Sequence, residues 1–414
     1  MAHTPHARDR DDFGWKAANC LAFAGLLFFA LYYLTAFRFD IIFTNPARQV
    51  DFTLWRIVPS YIFEHARYPA VVTGDWEHTV FQYLPSAAVL MLPLSWPPQA
   101  IAFAIWLLIE ASAFALVIWI GLRLSGAAQL RARWLIAIAA VLLSENSLGW
   151  DFRNHNTNIP YLALVMLGIQ ARKTWLGALM FAISINLKLY SALIPAALAW
   201  RREYALAAAT CAVTVLIAVA LPIFAFGPSA FFQLASDWFA QIDYSMAIQS
   251  GHTASLNRSV ATWLGVDPGA SLANVTLRAL QAAWLAMVAC YYLVAARAQP
   301  AKAFHYSQAR LADMCVALIA PLPLSIWFIP YHAVVMLPAY MLLLTVVVAD
   351  EWPKRLRVIS AGACLACLIV RFAVTDWNYR GAVFLVSFAI LLGALGAIRW
   401  ALTHRNLHDR TRSA

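Results

Sequence analysis

Charge is what this sequence lacks. Only 12% of its 414 residues are Asp, Glu, Lys or Arg, about half the roughly 25% of a soluble domain. A water-soluble globule of this length is excluded. Alternating polarity of the kind that builds a transmembrane barrel is also missing. So are the usual chemical spacings: no glycine-rich phosphate loop, no H-E-x-x-H and no paired C-x-x-C, and the one D-x-D, Asp9-Arg10-Asp11, lies in the charged N-terminal tail. Nothing in the pattern therefore asks for a nucleotide or a metal. Six cysteines occur, all in apolar stretches. Cys364 and Cys367 stand at i,i+3, which places them on one helix face as small hydrophobes and not as a redox pair. No 20–50-residue repeat is visible.

Apolar residues fill the chain instead, at 63%. Runs at 17–36, 101–121, 204–226, 310–329 and 381–400 are each long enough to cross a hydrocarbon core about 30 Å thick. The fold class expected is an all-α polytopic membrane protein of about twelve spans, forming one integral-membrane domain over 1–414. The spans fall near 15–36, 82–95, 99–121, 134–147, 157–171, 175–200, 204–226, 273–297, 309–329, 331–349, 355–374 and 379–400. Two large loops separate them, 37–80 and 227–272. The second holds an amphipathic stretch at 231–242 that suits a membrane interface. The first 14 residues are charged and lead into an apolar run without a cleavage site, which reads as a retained anchor.

The net charge of +10 is spread through loops, as orientation signals are, and gives no nucleic-acid footprint. Arg201 and Arg202, then Arg297, Lys302 and Arg310, then Lys354, Arg355 and Arg357, then Arg405, Arg410 and Arg412 fall on one side with Arg8, Arg10 and Lys16. By the positive-inside rule that side, with tails 1–14 and 401–414, is cytoplasmic, and both large loops face outward across an inner (plasma) membrane. Arg123, Arg131, Arg133, Arg172 and Lys173 land on the wrong side under simple alternation. Short helix pairs that do not fully cross would explain them, since broken helices are tolerated where they line a cavity.

Polar residues in such surroundings are functional candidates by default. Asp51, in Arg48-Gln-Val-Asp51-Phe ahead of Trp55-Arg56, can serve as a base at the lipid–water boundary or as the cap of a helix over 52–64. Asp75 and Glu77 read as solvated loop carboxylates. Arg153-Asn-His-Asn-Thr-Asn158 can bind sugar hydroxyls or a phosphate, or simply cap the next helix. Lys188, in Asn186-Leu-Lys188-Leu-Tyr190, can meet a lipid phosphate as a point charge or snorkel to the headgroups. Asn257-Arg258-Ser259 and His332 lie on the outer side. Glu110 and Glu145 read as unpaired acids in apolar surroundings.

In their order, these groups resemble glycosyltransferase family 87, integral-membrane enzymes of the GT-C class. The family's early outer-loop aspartate matches Asp51. Its Tyr-Pro-Pro segment leading to Pro-Leu appears as Tyr83-Leu-Pro85 and Leu92-Pro-Leu94. Its Gly-Gln-x-Asn motif appears as His155-Asn156-Thr-Asn158. A small-residue stretch with Lys-x-x-Pro matches Gly177 through Lys188 to Arg201-Arg202. Asn-Gln-Ser appears as Asn257-Arg258-Ser259, and a Trp…His pair as Trp327…His332.

The resemblance implies a polyprenyl-phosphate sugar, mannose in the family's best-known members, as donor substrate, with no cofactor and no metal. The acceptor would be a glycolipid or lipid-linked glycan, transfer would invert the anomeric carbon, and the partners are membrane lipids. It implies Asp51 as base. Arg56, Lys188, Asn257, Arg258 and His332 would hold donor phosphate or sugar, and Tyr83, His155, Asn156 and Asn158 the acceptor or its sugar. Arabinose or an aminosugar is the nearest alternative donor. A lipid or sugar transporter is the rival class; it would require half-molecule repeats and intramembrane charge pairs.

Overall fold

The computed structural model describes residues 5–35, 51–69, 83–171, 173–248, 256–267, 271–296, 303–324, 330–373 and 380–412. Among them all regular structure is helical. The N-terminal half runs α1 (Pro5–Thr35), α2 (Asp51–His65), α3 (Pro85–Met91), α4 (Gln99–Ser125), α5 (Arg133–Leu143), α6 (Glu145–Asn154), α7 (Asn158–Gln170), α8 (Thr174–Leu187) and α9 (Ile194–Trp200). It continues with α10 (Tyr204–Phe226), α11 (Pro228–Ile248), α12 (Leu256–Leu264), α13 (Ser271–Ala296), α14 (Ala303–Ile319), α15 (Leu337–Val348), α16 (Lys354–Ala373) and α17 (Arg380–Arg412). Short 3-10 turns occupy Leu92–Leu94, Leu189–Leu193 and Pro330–Met336.

Twelve spans are not what the described residues show. Five stretches are long and apolar enough to cross a membrane alone: Gly14–Tyr32, Gln99–Ser125, Tyr204–Phe226, Ser271–Ala295 and Val383–Thr403. A sixth arises if α5 and α6, bent by 72° at Ser144, count as one broken span. Large apolar side chains such as Leu21, Phe28 and Phe224 remain exposed on these helices, the outward face expected of helices solvated by lipid.

The remaining helices are short for a physical reason. At 1.5 Å per residue, α7 and α8 rise about 20 Å each, less than the roughly 30 Å hydrocarbon core. Gly177 sits against Leu206, and Asn186 donates to the Thr214 carbonyl at 3.3 Å. Helices α8 and α10 therefore climb side by side in the same direction. The chain then turns back at Lys188 and descends through α9 to Arg201.

One end of the bundle gathers these returns. Gln308 donates to the Ser125 carbonyl at 2.7 Å, and Arg310 to the Ile169 carbonyl at 2.6 Å and to Glu203 at 2.8 Å. Asn19 bonds the Arg131 carbonyl and accepts from the Trp134 amide at 3.1 Å. The loops bearing Arg123, Arg131 and Arg133 thus lie at the same end as Arg201 and Arg310. Their awkward placement under simple alternation disappears, because the helices between them are half-spans.

The two large loops carry the helices expected in them, α2 close to the expected 52–64 and α11 around 231–242, and the second also holds the nine-residue α12. Helix α11 begins three residues earlier than the 231–242 stretch and continues to Ile248. The tails are also helical, since α1 starts at Pro5 and α17 runs to Arg412. Glu110 and Glu145 are not unpaired: Glu110 meets His155 at 2.9 Å and Glu145 meets Arg371 at 2.5 Å. Buried charge pairs, expected to be absent, are present, with Asp313 held between Arg201 and Arg399.

Candidate functional site

The site is built where three half-span helices end inside the bundle. Helix α6 stops at Asn154, and His155 takes a left-handed conformation (φ 49°), which non-glycine residues seldom adopt. Neighbours hold it there. Its ring Nδ1 lies 2.9 Å from Glu110, and Phe103 meets the ring edge-on at 4.9 Å. The Trp106 indole donates to its carbonyl at 3.0 Å. The Asn156 amide closes the turn on the Asp151 carbonyl at 3.2 Å, so Asn156 and the first residue of α7, Asn158, face the same interior point.

Lys188 reaches that point from the other side. It is extended (φ −149°, ψ 119°) between α8 and the following 3-10 turn, and its side chain is buried. Its ammonium donates to Asn158 Oδ1 at 2.6 Å and to Asn156 Oδ1 at 2.9 Å. Asn158 in turn donates its amide to Asp151 Oδ1 at 2.6 Å. Four residues from two sequence regions thus form a chain from ammonium through amide to carboxylate. It supplies a cation whose amide acceptors can be exchanged for a phosphate oxygen.

The segment between α1 and α4 closes over this point. The Tyr83 ring lies 5.7 Å from the Lys188 ammonium and 4.0 Å from the Trp55 ring. Tyr68 donates to the Tyr83 carbonyl at 2.7 Å, and Ser86 to Asn186 Oδ1 at 2.6 Å. Burial, with Asp237 beside it, holds the Tyr68 phenol well above the usual tyrosine range, so it stays a donor. Phe52 packs on Phe103 at 5.3 Å, the same ring that braces His155. The first turn of α2, whose first residue is Asp51, therefore docks beside the Lys188 cluster.

The structure unites Tyr83, Asn156, Asn158 and Lys188, and places His155 behind them as a brace. His332 is buried and meets the Tyr190 hydroxyl at 3.1 Å through Nδ1, two residues beyond Lys188. Arg56 turns to the Pro97 carbonyl at 3.4 Å and stands apart. The side chains of Asp51, Asn257 and Arg258, and all of Trp327, lie outside what the structure describes, as do Asp75 and Glu77. Sequence reasoning missed Asp151, Glu110 as the partner of His155, and Tyr190 as the partner of His332. For Asp151 a signal existed: a carboxylate seven residues before Asn158, in a polar stretch, 145–158, set between apolar ones.

Membrane-length helices around an interior cluster of cation, amides and carboxylate define a multi-pass membrane protein. The chain belongs to glycosyltransferase family 87, whose family model matches residues 81–321, more than half of its length. That match includes Tyr83, Asp151, Asn156, Asn158 and Lys188; Asp51 precedes it and His332 follows it. An alpha-(1->3)-arabinofuranosyltransferase of Corynebacterium glutamicum is 32% identical over 162 residues, 37% of this chain and 38% of that one. The match thus spans little more than a third of that relative's length. No solved structure matches the chain.

Proposed function

We propose that the protein is a membrane glycosyltransferase that moves a sugar from a polyprenyl-phosphate donor to a hydroxyl of a glycolipid or lipid-linked glycan. The observation that carries this is the buried Lys188 ammonium, held on Asn156 and Asn158 and roofed by Tyr83 and Trp55 beside the start of α2.

In this reading the acceptor hydroxyl gives its proton to Asp51 as its oxygen bonds to the anomeric carbon. The bond from that carbon to the phosphate oxygen breaks on the opposite face, so the centre inverts. Polyprenyl phosphate leaves with the electron pair, and Lys188 meets its charge in a low-dielectric interior. A phosphate is a good leaving group, so a single base suffices, and alignment of the reactants supplies much of the rate. His332 and Tyr190 border the donor side; Asn257 and Arg258 are assigned to the donor by the family pattern alone. The basic end of the bundle faces the cytoplasm by the positive-inside rule, which puts the site in the outer half of an inner membrane.

Two donor sugars are favoured. Mannose is the donor sugar of the family's best-known members, and the similarity to the corynebacterial arabinofuranosyltransferase favours arabinofuranose. Purified protein in lipid nanodiscs is given radiolabelled polyprenyl-phosphate mannose or arabinose with membrane glycolipid, beside Asp51→Asn. Label should reach the glycolipid from one donor with the wild type and fall at least 100-fold in the variant. Transfer retained by Asp51→Asn removes that residue as the base. No transfer from either donor, nor from other polyprenyl-phosphate sugars including an aminosugar, overturns the enzyme reading in favour of a transporter or an assembly subunit.

A further inference from the structure

A cavity of about 230 Å³, apart from the Lys188 cluster, lies between the bend of α5 and α6 and the C-terminal helices. Ser144, Asn146 and Ser147 form one wall; Tyr340, Arg371 and Ser387 stand on the other. The sequence reading assigned none of these residues a role. Most of the second wall lies beyond residue 321, outside the family match, so it is a feature of this chain's own C-terminal portion.

Its electrostatics select a ligand class. Arg371 donates to the Leu142 and Leu143 carbonyls at 3.3 and 3.2 Å and to Glu145 at 2.5 Å. It thereby satisfies the exposed carbonyls at the end of α5, and its charge is balanced by Glu145. What the cavity offers beyond that pair is neutral: the hydroxyls of Ser144, Ser147 and Ser387, all at least nine-tenths buried, with the Asn146 amide. Ser144 borders the cavity, while its hydroxyl oxygen is closed off and has no hydrogen-bond partner among the described residues, so turning it toward a ligand gains a hydrogen bond. Phe384 and Phe372 add apolar walls. A few polar groups on an apolar wall, in less than the roughly 300–1,000 Å³ of a drug-sized site, suit one neutral polyhydroxyl ring.

We infer that this cavity is a sugar subsite, holding a ring of the acceptor glycan away from the hydroxyl that reacts. This rests on the glycosyltransferase reading for which substrate the ring belongs to. Helix α6 leads from Ser144 to Asp151, about 10 Å at 1.5 Å per residue, so the subsite and the Lys188 cluster sit at the two ends of one short helix. The donor's charged phosphate belongs with Lys188, and a neutral ring this far off belongs to the acceptor.

The test is equilibrium binding of radiolabelled octyl mannobioside and octyl di-arabinofuranoside to the full-length protein in nanodiscs. One of the two should bind saturably to the wild type and be displaced by the same disaccharide without its alkyl tail. Ser387→Trp, which fills the cavity, should weaken binding at least tenfold. Ser144→Ala, too small a change to threaten folding, should weaken it about threefold. Binding unchanged in both Ser variants, displacement by octyl phosphocholine as readily as by sugar, or no saturable binding overturns the subsite. Saturable binding without transfer by the wild type would sink the enzyme reading and leave the sugar site standing.

Discussion

Two buried polar regions of this bundle handle a cation in different ways. At the basic end, Arg201 bonds Asp313 and Glu203, Arg399 bonds the other oxygen of Asp313 at 3.2 Å, and the Tyr291 hydroxyl donates to it at 2.8 Å. There each guanidinium meets a carboxylate directly, and the network spans α9, α13, α14 and α17. Near the opposite end of the half-spans, Lys188 rests on two amide oxygens, with Asp151 one amide further away. Exchanging an amide oxygen for a phosphate oxygen strengthens a lysine's hydrogen bond, whereas an arginine already on a carboxylate has nothing to gain. The first network locks helices together; the second is the one that the proposed function assigns to the donor's phosphate.

That contrast can be broken by mutation. Asp313→Asn should be the most damaging change to the fold, costing about 3–5 kcal/mol because two guanidinium groups lose their carboxylate in the interior. A large fall in the thermal midpoint, with transfer per folded molecule retained, is the expected result. Lys188→Met should do the reverse, lowering transfer on the order of 100- to 1,000-fold with only a few degrees' change in midpoint. Equal loss of stability in both variants would erase the distinction.

Asp151→Asn sharpens the comparison at the next level. It weakens the acceptor that orients the Asn158 amide, so the donor KM should rise about tenfold, in line with about 1.5–3 kcal/mol for a hydrogen bond to a charged group. An unchanged KM would detach Asp151 from Lys188. Tyr68→Phe should be the mildest. It removes the donor to the Tyr83 carbonyl, worth about 1 kcal/mol, and should show as a small loss of transfer that donor saturation restores.

Most of the residues in the cluster were visible in the sequence because lysine, asparagine and tyrosine are conspicuous among apolar neighbours. Lys188 and Asn158 stand 30 residues apart, yet Lys188 breaks an apolar run and Asn158 closes the polar cluster that opens one, and that marks both. Helix existence was legible for the same reason: the bounds expected for 99–121, 157–171 and 204–226 fall within a few residues of α4, α7 and α10. The span count was not legible. A 14-residue apolar stretch such as α8 has the composition of a crossing helix, and only its neighbours show that it turns back at Lys188. His155 looked like a ligand because hydropathy cannot see Glu110, 45 residues earlier, which holds its ring.

The sequence by itself determined that this chain lives in a membrane, that its regular structure is helical, and which polar residues interrupt the apolar runs. Those follow from local composition, since lipid demands that each backbone satisfy its own hydrogen bonds and penalises each charge separately. The tertiary structure alone decided that α7, α8 and α9 are half-spans, that the arginine-bearing loops share one end, and that Lys188 is held by Asn156 and Asn158 while Arg201 is held by carboxylates. Those depend on which residues from distant segments arrive within about 3 Å of one another, and hydrogen bonds and ion pairs act only at that range.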